Sequence, residues 1–420
     1  MKKGLWLLLA LCLLTAAAAE AQDVLDAFLD GDCVRVEGML SEEARAVIGS
    51  EELAQAWQMQ LQRLGAFVEI QAHQQQDNTH VLTLLHENGV QNLIVSYDEA
   101  QQIAGLMLQP VPLAASAPTR SLPEGAMESD VRLFAGTAQE LCARLIRPAA
   151  ENAPYAVLAQ GSGPSDMDET IAANKPLRDL AYDLAALGVG SIRFDKITYA
   201  HPELPCETVE QEYLIPVREA LRVLRAEAEG AKVYLIGHSQ GGMLMPWLVR
   251  ECGFDGGAAL AGTPMKLWEI SYQQNVDTIA LLPAEQQAAL LAQVEGERAR
   301  AEGLAQLTDE EARGSTVFGV NAYYHKYMEG LDQIAIAKET GKPMLFLWGE
   351  NDVQVSREAF EAWRSGLGEG GLYEYVSLPG LNHLFMPSDG SAAIADVMNE
   401  YAVPSAMDAR VAQAIALWLE

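Results

Sequence analysis

The chemistry in this chain concentrates where apolar runs end. Val233 to Ile236 lead into Gly237-His238-Ser239-Gln240-Gly241-Gly242, and Met243-Leu244-Met245 follow in a helical pattern. A serine between glycines at a strand-to-helix turn is the setting of a nucleophile. The glycines remove side chains that would collide in the tight turn, and the helix start offers its positive end to the hydroxyl. A serine hydroxyl is a weak nucleophile near neutrality, so it needs a general base, and the base needs an orienting carboxylate. Met344 to Trp348 run into Gly349-Glu350-Asn351-Asp352, and Leu372 to Leu378 run into Pro379-Gly380-Leu381-Asn382-His383. The order Ser239, Asp352, His383 predicts acyl transfer with a serine nucleophile, a histidine base and an aspartate behind it. Glu350 is the second choice for the acid, since it comes too early in its loop.

Such a reaction passes through an oxyanion that needs preorganised donors. The backbone N–H of Gln240 is one, and Ser162 N–H, in Gln160-Gly161-Ser162-Gly163-Pro164, is the other. Asp166, Asp195 and Lys196 are read as a structural network more than as site lining, and His201 as a loop residue. Trp268, Tyr272, Tyr323, Tyr324 and Tyr327 are candidates for the wall of an acyl or aryl pocket, against the plainer role of packing helices onto the core.

The elements that must carry these residues alternate between strand and helix from about residue 129 onward, the pattern of a mostly parallel α/β sheet. Strands are predicted at Asp130 to Gly136, Glu140 to Arg147, Tyr155 to Ala159, Ser191 to Phe194, Lys232 to Ile236, Gly257 to Ala261, Pro343 to Trp348 and Leu372 to Leu378. Helices are predicted at Pro176 to Leu187, Gln211 to Glu227, Gly242 to Cys252, Arg357 to Ser365 and Ser405 to Leu419. The nucleophile, acid and base thus fall at carboxyl ends of strands, where open α/β sheets bind ligands. The interval Met265 to Lys342 is far longer than a normal connection, and its composition reads as a helical lid.

The chain has 420 residues, with 28 Lys and Arg against 58 Asp and Glu for a net charge of −30, which argues against nucleic acid as a partner. Its length exceeds what one core fills, so a second domain or a substantial insertion is expected. Lys2 and Lys3, the apolar run Leu5 to Leu14 and Ala19-Glu20-Ala21 read as a cleaved signal peptide over residues 1–21. Its loss removes Lys2, Lys3 and Glu20 and leaves −31, so the acidity belongs to the mature, exported protein. Residues 22–109 read as a small α+β domain, with strands at Phe67 to Ile70, His80 to Leu84 and Gln91 to Tyr97. The Pro-rich stretch 110–128 reads as a linker. Cys33, Cys142, Cys206 and Cys252 lack metal-ligand spacing, and their pairing is left open. His73, His80 and His86 are read as surface or turn residues.

Residues 129–420 resemble the α/β-hydrolase superfamily, with Gly237 to Gly241, Gly349 to Asp352 and Asn382-His383 as the matching parts. That family usually has His-Gly where this chain has Gln160-Gly161. Phe28-Leu29-Asp30-Gly31-Asp32, Leu53 to Trp57 and Leu64-Gly65-Ala66-Phe67 resemble a small NTF2-like domain that precedes exported bacterial hydrolases. The elbow Gly-His-Ser-Gln-Gly-Gly is similar to that of cinnamoyl and feruloyl esterases. The resemblance implies an eight-stranded sheet flanked by helices and a secreted serine esterase acting on small-molecule esters. It implies no metal or organic cofactor; the leader's apolar run is too short for a spanning helix and no other segment is apolar enough, so no stable membrane insertion is expected. An amidase or exopeptidase on the same residues, and a binding protein with an incidental hydrolase fold, are the alternatives. Epoxide hydrolase and dehalogenase chemistry is disfavoured, since those enzymes carry Asp at the elbow.

Overall fold

The computed structural model describes residues 21–76, 78–87, 89–98, 100–111 and 120–420. All of the predicted signal peptide except its last residue, Ala21, lies outside the described residues, as does 112–119 within the predicted linker. The chain divides into two compact units, 1–115 and 116–420.

In the first unit, helix 21–29 and the helices Cys33–Met39, Glu42–Arg45 and Ser50–Leu64 precede a four-stranded antiparallel meander in the order β1 (Phe67–Gln76), β2 (Thr79–His86), β3 (Gly89–Tyr97) and β4 (Ile103–Val111). Alternation along β2 turns His80, Leu82, Leu84 and His86 inward, onto a core with Phe28, Trp57, Leu93 and Val95. His80 and His86 are therefore buried strand residues, not the surface or turn residues expected. The period of two that buries Leu82 and Leu84 also buries the histidines on either side of them. They stay satisfied: His73 Nε2 lies 3.0 Å from His80 Nδ1, and His86 bonds the Gly65 carbonyl at 3.1 Å and Gln91 Nε2 at 2.8 Å.

The second unit is built on an eight-stranded mixed sheet. Its strands are β5 (Met127–Leu133), β6 (Leu141–Arg147), β7 (Tyr155–Ala159), β8 (Gly190–Phe194), β9 (Val233–His238), β10 (Gly257–Leu260), β13 (Met344–Gly349) and β14 (Tyr373–Leu378), with β11 (Thr316–Val317) and β12 (Val320–Asn321) forming a separate hairpin. The spatial order is β14-β13-β10-β9-β7-β8-β6-β5, and β6 alone runs against the others. β5 begins and ends three residues earlier than predicted. Phe134 (φ 52°) and Gly136 (φ 77°) turn the chain into the β5–β6 hairpin and so stop the strand at Leu133.

Central strands are buried on both faces, as parallel strands between helical layers must be. On one face Val157, Leu235, Met344 and Phe346 pack under Val217, Leu221, Leu248, Phe360 and Trp363. On the other, Ala156, Leu158, Ile236, Leu345 and Leu347 meet Leu177, Leu180, Leu184, Val411 and Ile415. Each of the larger aliphatic and Phe side chains contributes about 1.5–3 kcal/mol on burial. This keeps strand ends in register to within a side chain, and it is those ends that carry the site. Between β10 and β13 the chain forms helices Leu267–Ala280, Ala284–Glu302, Asp309–Arg313, Ala322–Glu329 and Gln333–Thr340. No helix among the described residues is long and apolar enough to cross a membrane.

Candidate active site

β9 delivers Ser239 into a sharp turn. Its backbone stands at φ 50°, ψ −114°, and the helix Gln240–Met243 starts at the next residue. Few residues adopt this conformation, and it persists because its surroundings leave no alternative. A Cβ on Gly237 would lie 2.2 Å from Gly241 O, and one on Gly241 would lie 2.6 Å from Gln160 O. Both positions therefore require glycine for close approach.

β13 and β14 supply the other two residues. His383 Nδ1 and Asp352 Oδ2 are 2.7 Å apart, with both side chains buried. Asp352 Oδ1 accepts from the backbone N–H groups of Gln354 and Val355 at 2.8 and 2.9 Å, which locks the carboxylate rotamer. Asn382 braces the loop of His383 by accepting from Leu384 and Met386 N–H, each at 3.1 Å. Glu350 is exposed. Ser239, His383, Ser162 and Gln240 line one cavity of about 540 Å³, together with Met243, Ala261, Thr263, Leu267, Ile270, Ser271, Gln274, Gln354 and Val355. No hydrogen bond joins Ser239 Oγ to His383 among the described residues. Such contacts are often long before substrate binds. A wider cleft of about 1330 Å³ lies at the opposite strand ends around Tyr155 and Tyr234, and it contains none of these residues.

The N–H groups of Ser162 and Gln240 have no protein acceptor among the described residues. The loop that carries Ser162 is held from several sides. Gln160, in place of the histidine common at that position, donates through Nε2 to the Phe194 carbonyl and, at 3.3 Å, to the Asp166 carbonyl, so the loop is braced by an amide. Asp166 caps the following turn through Asp168 N–H, Thr170 N–H and Thr170 Oγ1, and Asp195 accepts from Met167 N–H at 2.8 Å. His201 bonds the Glu140 carbonyl at 2.9 Å, away from the cavity.

Glu169, Glu212, Tyr213 and Tyr324 also belong to the site's surroundings, and sequence reasoning did not single out the first three. Gly161 N–H donates to Glu169 Oε1 at 2.6 Å, and His238 Nδ1 lies 3.0 Å from the same oxygen. The other ring nitrogen of His238 donates to the His383 carbonyl at 2.9 Å. Both partners of His238 are acceptors, so the imidazole sits as a doubly protonated cation beside a carboxylate. Burial opposes that charge, but the charge and hydrogen bond of Glu169 outweigh it and raise the His238 pKa above 6.5. Burial of Glu169 is likewise outweighed by His238, and its carboxyl falls below 4.5. On the far side, Lys196 Nζ reaches Glu212 Oε1 at 2.6 Å, Gly161 O at 2.8 Å and Tyr213 Oη at 2.9 Å. Glu212 and Tyr213 lie on the π-type turn Glu210–Leu214 that opens helix Ile215–Glu227. A wider turn of this kind often marks a functional segment.

The aromatic residues proposed for an acyl wall do not line the cavity. Tyr324 OH bonds Glu212 and Gln240 Nε2, Tyr327 OH bonds Glu210, and Trp268 Nε1 bonds Glu329. Tyr272 OH bonds Glu295, and the Tyr323 ring lies under Arg313. The polar ends of Trp268 and Tyr272 stay among the helices between β10 and β13, whereas those of Tyr324 and Tyr327 reach out of that segment to Gln240 and the turn Glu210–Leu214. No group of His, Cys, Asp and Glu among the described residues has the geometry of a metal site. Cys33, Cys142, Cys206 and Cys252 are free thiols.

A family model described as "Alpha/beta hydrolase family" matches residues 156–397. Esterase EstD of Thermotoga maritima is 29% identical over 388 residues, covering 91% of this chain and 90% of that protein. Among solved structures, the esterase domain of a Rhodothermus marinus protein covers 70% of this chain and 97% of its own at 18% identity and a TM-score of 0.41. Est1E from Butyrivibrio proteoclasticus covers 65% and 96% at 16% identity and a TM-score of 0.40.

Proposed function

Because this chain belongs to the alpha/beta hydrolase family, we propose that it is a serine esterase that cleaves carboxylic esters through an acyl-enzyme. The observation that carries this reading is the 2.7 Å His383–Asp352 bond at the edge of the cavity that Ser239 also lines. Ser239 Oγ attacks the ester carbonyl while His383 takes its proton. Asp352 keeps the imidazole in the tautomer with Nε2 free to do so and stabilises the imidazolium that forms. The oxyanion is received by Ser162 and Gln240 N–H. His383 then protonates the leaving alcohol, and water repeats the sequence to release the acid. No step calls for a metal or organic cofactor. The cavity lining has apolar Met243, Leu267, Ile270 and Val355 and no Phe, Tyr or Trp, which favours compact aliphatic acyl groups over the aryl acyl groups suggested by the elbow's likeness to cinnamoyl esterases.

Ser239→Ala tests this directly. It should lower kcat for p-nitrophenyl butyrate by roughly 10⁶-fold and abolish labelling by a fluorophosphonate. Wild-type turnover in that variant refutes the reading, and p-nitroanilide turnover matching that of esters favours an amidase instead. The helices between β10 and β13, whose first member contributes Leu267, Ile270 and Gln274 to the cavity, are read as a lid. Helices followed by an antiparallel meander support an NTF2-like module in the first unit. The leader supports export, which is checked by fractionation and by finding Gln22 as the mature N-terminus.

A further inference from the structure

The Ser162 N–H belongs to the same peptide plane as the Gly161 carbonyl. A trans peptide points these two groups in opposite directions, so whatever grips the carbonyl also aims the N–H. The Gly161 carbonyl accepts from Tyr213 Oη at 2.7 Å and from Lys196 Nζ at 2.8 Å. Lys196 is 1% exposed, and its nitrogen is ringed by three acceptors: Gly161 O, Tyr213 Oη and Glu212 Oε1. Three acceptors match the three protons of an ammonium. Tyr213 takes one of them and gives its single proton to Gly161 O, its shortest contact. A buried ion pair rarely adds net stability over an apolar replacement. Its survival behind this one peptide therefore calls for another explanation.

We infer that Lys196 is a positioning residue for the oxyanion donor, holding the Gly161–Ser162 peptide from behind with Tyr213 and polarising it so that Ser162 N–H is a stronger donor toward the cavity. The inference rests on the serine-esterase reading above and assigns a role to a residue that does not touch substrate. A cation on the carbonyl oxygen withdraws density from the peptide nitrogen and adds favourable potential where the oxyanion forms. Burial keeps that potential unscreened. Glu212 neutralises the pair as a whole and keeps the ammonium in place.

Three variants test it: Tyr213→Phe, Lys196→Arg, and the double variant Lys196→Met with Glu212→Gln, which leaves no carboxylate unpaired. Steady-state kinetics on p-nitrophenyl butyrate are paired with inhibition by an alkyl trifluoromethyl ketone, whose hemiketal with Ser239 carries an oxyanion. The double variant should lose roughly 30- to 1000-fold in kcat with KM within about threefold, and Tyr213→Phe roughly 3- to 10-fold, on the scale of one oxyanion donor or less. Lys196→Arg should recover part of the loss. Across the set, Ki for the ketone should rise by the same factor as kcat/KM falls, which a merely structural role would not produce. A folded double variant with wild-type kcat/KM, or a loss of kcat with unchanged Ki, overturns the inference. If the double variant does not fold, Tyr213→Phe decides by the same criterion. Fluorophosphonate labelling of Ser239 is run on every protein. No labelling of the wild type sinks the esterase reading, whereas labelling with an insensitive Ki sinks only the role of Lys196.

Discussion

Replacing Glu169 by Gln removes a charge but hardly any volume, at a point where the loops after β7, β9 and β14 meet. One oxygen, Oε1, takes both Gly161 N–H at 2.6 Å and His238 Nδ1–H at 3.0 Å, and His238 hands its other proton to the His383 carbonyl. At 3.0 Å and an effective dielectric near 20, the attraction between the two charges is about 5.5 kcal/mol. Breaking a buried pair by removing one partner costs about 3–5 kcal/mol. An amide can present its oxygen to only one side. If His238 discharges, one of its two bonds is lost, and if the amide turns to meet a bare ring nitrogen, Gly161 N–H faces an NH₂. The expected loss is about 3–5 kcal/mol of unfolding free energy, or a fall in Tm of about 6–10 °C for a unit of this size. The effect should depend on pH. Glu169 has its carboxyl lowered from 4.5, so its contribution is complete above that value and fades as pH falls through the folded-state pKa. His238 is raised from 6.5, so its contribution is complete below that value and fades as pH rises through the folded-state pKa. The difference between wild type and Glu169→Gln in urea unfolding should therefore be greatest between about pH 4.5 and 6.5. A difference under about 1 kcal/mol at pH 5.5, or one constant from pH 4 to 9, would refute the argument.

Asp352→Asn should lower kcat by roughly 10⁴-fold with the fold intact, since it disrupts the tautomer of His383, whereas Glu350→Gln should stay within twofold in the same assay. Gly241→Ala drives a Cβ to 2.6 Å from Gln160 O and 2.8 Å from Ala159 O. Backbone must move on one side or the other, and kcat should fall at least 100-fold, with a crystal structure showing the displaced elbow. Alkylation of the unfolded chain without reductant should modify Cys33, Cys142, Cys206 and Cys252 alike, as read by peptide mass spectrometry, and a disulfide-linked peptide among them would contradict the free thiols of the fold.

Ser239, Asp352 and His383 stand out as candidates in the sequence because each is announced locally, by an apolar strand that runs directly into its loop. The same is true of β7, whose span Tyr155–Ala159 was legible to the residue. β5 was misplaced because the chain already turns at Phe134, whose positive φ is not signalled by its residue type, two residues before Gly136. Glu169 and Glu212 could not be recognised, since an acid in a loop or at a helix start looks like any solvated charge. Their meaning comes from His238, 69 residues away from Glu169, and from Lys196. The aromatic side chains were legible by type but not by direction. A tyrosine declares where it points only through the partner of its hydroxyl, and these partners lie in other elements.

Gln240 faces two ways. Its backbone N–H belongs to the elbow, while its side-chain amide is sealed against the hydroxyl of Tyr324 on helix Ala322–Glu329. Tyr324 in turn closes on Glu212. One phenol thus ties the segment between β10 and β13 to the residue beside Ser239. A homologous segment transplanted into this scaffold would strand a buried amide and a buried carboxylate unless it brought a hydroxyl to the same spot. This part of the chain is therefore not a freely exchangeable module, and selection for new substrates by recombination would have to carry the position of Tyr324 along with it.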